Sequence, residues 1–138
     1  MTGSVLEVDL DLLAANFDRV RTAVAPAELM LVVKNDAYGH GLDPVVERAE
    51  REGVRWFGAF DVLTGARVRR LAGDGARIFV WIADTPAQVS AALASDLDIG
   101  VGDRRLLEDI VARGGTGHPA RVHLKIDTGL RRNGVRPE

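Results

Sequence analysis

Only two of the 18 basic residues in this 138-residue chain are lysines, Lys34 and Lys125; the other 16 are arginines. Arginine stays protonated in a protein, whereas a desolvated lysine can lose its proton and then condense with an aldehyde or act as a base. A chain that uses arginine as its ordinary cation and keeps lysine at two positions draws attention to both. Each lysine closes an apolar run: Lys34 ends Leu29-Met30-Leu31-Val32-Val33, and Lys125 follows Val122-His123-Leu124. Apolar surroundings penalise the ammonium form and free the amine. A strand-end lysine can also simply reach out to water, so the residues that follow each lysine must discriminate.

After Lys34 come Asn35-Asp36-Ala37-Tyr38-Gly39-His40-Gly41, with a phenol, an imidazole and two glycines in seven positions. The segment from Val32 to Gly41 resembles the cofactor-lysine motif of alanine racemases, Val-Val-Lys-Ala-Asn/Asp-Ala-Tyr-Gly-His-Gly. It departs from that motif at Asn35, where alanine is usual. The resemblance implies that Lys34 binds pyridoxal 5'-phosphate covalently and serves as the base on one face of the substrate's α-carbon. It also implies that the Tyr38 hydroxyl reaches the cofactor phosphate. Gly39 and Gly41 suit a tight backbone turn, and His40 reads as a structural loop histidine.

The second lysine sits in Val122-His123-Leu124-Lys125-Ile126-Asp127-Thr128-Gly129-Leu130-Arg131-Arg132-Asn133-Gly134-Val135. This stretch is similar to another alanine racemase pattern, His-Leu-Lys-x-Asp-Thr-Gly-Met/Leu-x-Arg-x-Gly. Arg132, seven residues beyond Lys125, falls on its arginine. The adjacent Arg131 is the off-by-one alternative, and the spacing to Lys125 and Gly134 selects Arg132. In the family that arginine contacts the substrate carboxylate and steers a catalytic tyrosine, and the lysine is often carbamylated so that its new anion holds the arginine. The residue types suit those tasks: a guanidinium fork matches a carboxylate in two hydrogen bonds, and only a neutral amine adds carbon dioxide. Between the motifs, Trp56 to Gly73 is similar to the family's second strand and helix, with Gly65 on an outer helix where glutamate is common. Trp81 reads as core.

Those residues need a scaffold that delivers strand ends to one place, and the chain repeats a strand-then-helix pattern throughout. After a strand-like opening from Val5 to Val8, Asp9 caps a helix to about Val24 that Pro26 closes. Strands are expected at Leu29 to Lys34, Trp56 to Phe60, Arg77 to Ile82, Leu97 to Val101 and Arg121 to Ile126. Helices are expected at Pro44 to Arg51, Leu63 to Leu71, from Thr85-Pro86 onward, and from Asp103 to about Ala112. The five strands start roughly 20 to 27 residues apart, as successive units of a (β/α)8 TIM barrel do. An open doubly wound sheet is the alternative, although neither glycine-rich nucleotide-loop motif follows any strand. The fold class is therefore α/β, the N-terminal portion of a barrel. Five strands do not close one, and the usual length is about 250 residues.

A net charge of −2 gives no field that would attract nucleic acid or an anionic membrane, which leaves a small molecule as the expected partner. No signal-peptide pattern or run of about 20 apolar residues occurs, which makes the cytoplasm the default expectation. Cysteine is absent, and His40, His118 and His123 match no metal-ligand spacing, so no metal is expected. The resemblance implies an enzyme that interconverts L- and D-alanine by two-base proton transfer, supplying D-alanine for the cell wall, as a homodimer when full-length. In the family the second base is a tyrosine from a C-terminal β-domain of the partner subunit, which residues 1–138 do not include. The isolated chain is therefore expected to have little activity. Alternatives are a broad-specificity fold-III racemase or decarboxylase, and a non-catalytic pyridoxal-phosphate-binding protein.

Overall fold

Short polar side chains start most of the helices and so set where each strand ends. In the computed structural model, which describes residues 4–114 and 119–136, Asp9 opens α1 (Leu10–Val24) by accepting from the amides of Asp11 and Leu12. Asp61 caps α4 (Val62–Ala72), Thr85 and Gln88 form a reciprocal capping box on α5 (Pro86–Ala94), and Asp103 caps α6 (Arg104–Arg113). Each cap satisfies amide groups that the first helical turn leaves without partners. Helix α3 (Leu42–Arg51) begins two residues before Pro44, because proline is tolerated in a first turn, where its missing N–H is not needed. His118 and Glu138 lie outside the described residues.

The strands β1 (Met30–Val32), β2 (Trp56–Asp61), β3 (Arg77–Ile82), β4 (Asp98–Val101) and β5 (Val122–Leu124) form one parallel sheet in the order β1-β2-β3-β4-β5. A doubly wound sheet reverses its strand order at a switch point. This one does not, and it has the order of a barrel wall. One segment departs from expectation: Val5 to Val8 is not a strand, and Val5 and Leu6 are 90% and 72% exposed. A strand exists by pairing, β1 pairs with β2, and the Val5 to Val8 segment has no ladder partner among the described residues.

Alternation along the strands divides the sheet into two faces. The outer face, Phe57, Ala59, Ile78, Val80, Ile99 and Val101, packs with Val46, Val68 and Val89 of the helices into one apolar cluster. Gly65 of α4 faces this layer rather than solvent. A Cβ there would lie 2.7 Å from Val80 Cγ1 and 2.9 Å from Leu97 Cδ1, so the absent side chain lets the helix approach the sheet. The inner face carries Trp56, Gly58, Phe79, Trp81, Gly100 and His123, with the Phe79 ring edge-on to Trp81 and to His123. At the N-terminal ends of the strands this face holds Asp98, which accepts from Arg77 (2.6 Å), Arg121 and His123 (3.1 Å).

Candidate active site at the C-terminal ends of the strands

Lys34 follows β1 after a single residue, Val33, and the turn it opens has the opposite hand to an ordinary helix. Through α2 (Lys34–Tyr38), Asn35, Asp36, Ala37 and Tyr38 have φ of 52°, 55°, 52° and 57°. The left-handed region costs an L-residue roughly 1–2 kcal/mol, and consecutive visits are rare. The turn is held from several sides. Ala37 N donates to Val33 O (3.1 Å), Gly39 N to Asn35 O (3.0 Å) and Gly41 N to Asp36 O (3.0 Å). The Asp36 carboxylate accepts from Leu42 N at 2.8 Å, tying the turn to the start of α3, and His40 Nδ1 meets Ala37 O at 2.7 Å. His40 thus has a structural partner.

Such strain persists where the surroundings over-determine it, commonly at functional positions. Here it brings Tyr38 back beside Lys34, with Nζ 5.7 Å from the ring centroid. Nothing in the sequence forecast a left-handed run without glycine. The only hint is that Asn and Asp tolerate this region better than other residues.

The strand register sets what lies beside Lys34. Val32 pairs with Gly58, Ala59 with Val80, Val80 with Ile99 and Gly100 with His123. Continued past the paired residues, the inner-face positions Phe60, Trp81, Gly100 and His123 lie level with one another at the end of the sheet that leads into Lys34. Phe60 is 47% exposed, and the Trp81 indole lies over Gly58, where an added Cβ would come within 2.8 Å of it. Trp81 thus belongs to the inner face, at the level of Gly58 and so of the end of β1, which its apolar character alone did not reveal. A small cleft of about 120 Å³ beside it is lined by Trp81, Asp84, Gly100, Gly102 and Asn133, among others.

At the far end of the sheet, Lys125 follows β5, its amide donating to Val101 O at 2.8 Å. Its stem lies near Gly100, where a Cβ would come 3.3 Å from Lys125 Cδ. Burial, with the Arg132 charge adding to it, holds the Lys125 ammonium below the usual lysine range. The structure thus brings Tyr38 to Lys34, and it roots the loop that carries Arg132 at Lys125, whose carbonyl accepts from Val135 N. The two lysines are separated by four strand spacings, about 19 Å along the sheet at roughly 4.8 Å each. Arg131 has a left-handed φ of 56° and its amide is bound by Asp127.

Comparison with known proteins places this arrangement. A family model described as the alanine racemase N-terminal domain matches residues 8–138. The chain is 44% identical over 129 residues to an alanine racemase of Beutenbergia cavernae, covering 93% of this chain and 34% of that relative. The structure of alanine racemase from Streptomyces coelicolor A3(2) superposes with a TM-score of 0.88 at 35% identity, covering 95% of this chain and 35% of that one. For alanine racemase from Corynebacterium glutamicum the TM-score is 0.82 at 32% identity, with coverage of 94% and 37%. The chain therefore spans about a third of the length of the curated relatives it matches.

Proposed function

Because this chain belongs to the alanine racemase N-terminal domain family, we propose that it supplies the cofactor-lysine side of a pyridoxal-phosphate-dependent enzyme that interconverts L- and D-alanine. The observation that carries this reading is positional. Both lysines of the chain stand at the C-terminal ends of parallel strands, Lys34 beside a phenol and Lys125 at the neck of the loop that carries Arg132. That end is where parallel barrels keep their active sites.

The residues present fit the cofactor. A half-buried amine stands beside a phenol, and the neighbouring inner face offers partly exposed aromatic rings, Phe60 and Trp81, to a planar ligand. When bound, pyridoxal phosphate supplies an electron sink for the charge left at the α-carbon. Lys34 would hold it in the resting enzyme, and the Lys34 amine, freed when the substrate amine takes its place, would remove or return the α-proton on one face. The Tyr38 hydroxyl would donate to the cofactor's phosphate. The Arg132 fork pairs with the substrate carboxylate and fixes which face of the α-carbon meets Lys34.

Lys125 acts through Arg132. As an ammonium it repels the guanidinium, and its lowered pKa favours the neutral amine that can take up carbon dioxide. The resulting carbamate would turn repulsion into an ion pair. The opposite face of the α-carbon needs a second base, which we assign to a tyrosine of a C-terminal β-domain in the partner subunit of a homodimer.

The test is cofactor uptake. Adding pyridoxal phosphate is expected to give the visible absorbance of lysine-bound cofactor, abolished in Lys34→Arg, which keeps the charge but has no condensable amine. The same absorbance in Lys34→Arg would refute the assignment. An assay across a panel of amino acids distinguishes alanine from broader specificity.

A further inference from the structure

The loop that carries Arg132 is organised around a single side chain. At its neck, Val135 N donates to Lys125 O (2.8 Å) and Asp127 N to Val135 O (2.9 Å), with Ile126 and Val135 bridge-paired. Within it, Asp127 Oδ1 accepts from Gly129 N (3.0 Å) and Arg131 N (2.9 Å), and the Asp127 side chain is only 6% exposed. Its Oδ2 lies 4.0 Å from Arg136 Nε. Positive φ at Gly129, Arg131 and Gly134 coils the chain round this carboxylate. On the sheet side, the Asn133 amide occupies the space that a side chain at Gly102 would need.

Thr128 to Asn133 are all exposed, so core packing does not fix the path of this segment. Segments with few buried contacts take their order from their hydrogen bonds, and those made to an ionised oxygen are the stronger kind. Asp127 binds the amide of Arg131, the residue immediately before Arg132. We propose that Asp127 is a positioning residue: its buried carboxylate fixes the 127–135 loop so that the Arg132 guanidinium is held beside Lys125, where it can meet an anionic group of the substrate. This rests on the reading of Arg132 as the carboxylate-binding arginine. In keeping with it, the amides of Arg131 and Gly129 hold the Asp127 carboxyl below the usual carboxylate range.

Having only two lysines makes the test clean. Reductive 13C-methylation of the chain gives one lysine signal for Lys125 and one for Lys34, each followed by NMR across a pH titration. Arg132→Ala is expected to move the Lys125 titration upward by removing a neighbouring positive charge. Asp127→Ala should give the same upward shift, and the double variant no more than either alone. Asp127→Asn, which keeps an oxygen acceptor but loses its charge, should shift Lys125 part of the way. An unchanged Lys34 signal reports that the fold is intact.

The proposal is overturned if Arg132→Ala does not move Lys125. It is also overturned if Asp127→Ala leaves Lys125 at its wild-type value, or if the two single shifts add in the double variant. Should Asp127→Ala disturb Lys34 as well, Asp127→Asn decides, and a wild-type Lys125 titration there overturns the proposal. Neither cofactor nor alanine enters these measurements. Failure of the racemase reading would instead appear as absent cofactor attachment at Lys34 with the Lys125 titrations intact.

Discussion

A carboxylate with no exposure to water must be satisfied by protein groups, and Asp98 is 0% exposed. Burial pushes its carboxyl upward, but hydrogen bonds from Arg121, His123 and Arg77 outweigh burial and hold it below the ordinary range. A depressed folded-state value contributes stability that is fully present above the unfolded carboxylate value, about 3.9, and is lost as pH falls through the folded one. Urea denaturation of the wild type should therefore show stability falling as pH is lowered from about 5 toward 2, and Asp98→Asn should flatten part of that fall. At neutral pH Asp98→Asn should cost about 3 kcal/mol, the low end for breaking a buried pair, because the cations left behind reach water. An unchanged denaturation midpoint in Asp98→Asn would contradict this role. None of this was legible beforehand: Asp98 looked like one acid among 20, and only the strand register aligns it with Arg77, Arg121 and His123. The lysines were legible because their scarcity and their place after apolar runs are properties of the chain itself.

At the scale of elements, the strands and helices followed from apolar periodicity and caps. Asp9 and Asp103 cap the helices expected of them, and α5 starts at Pro86, where a helix was expected near Thr85-Pro86. The turn after Lys34 was legible only as a change of direction, because its left-handed course is imposed by contacts to Val33 and Leu42 rather than by its composition. Asn35 is exposed, so its substitutions report backbone strain with little packing loss. Asn35→Val should cost about 1–2 kcal/mol and Asn35→Gly should be neutral or stabilising by up to about 1 kcal/mol, measured by chemical denaturation. Equal effects of the two substitutions would contradict a strained turn. In α4, Gly65→Ala should destabilise by about 1–3 kcal/mol through overpacking against Val80 and Leu97. For a solvent-facing position on an outer helix, the same change would instead be stabilising.

Taken as a whole, the chain presents one wall of a barrel. Leu107 and Val111 of α6, and Leu124 of β5, are exposed apolar residues beside a groove of about 710 Å³. The wall carries Lys34, Tyr38, Lys125 and Arg132 at or just beyond one end of the strands, and on the proposed reading it supplies one of the two bases that inversion at an α-carbon requires. In heavy water with pyridoxal phosphate, residues 1–138 should therefore wash deuterium into the α-position of one alanine enantiomer faster than they produce the other. Equal rates of exchange and inversion would place both bases within these residues.

Whether Lys34 and not Lys125 holds the cofactor, as proposed, is decided by borohydride reduction after incubation with pyridoxal phosphate, followed by mass mapping of the lysine peptides. With only two lysines the readout is binary. The pyridoxyl adduct is expected on the peptide containing Lys34, with Lys125 unmodified. An adduct on Lys125, or equal labelling of both, would contradict it.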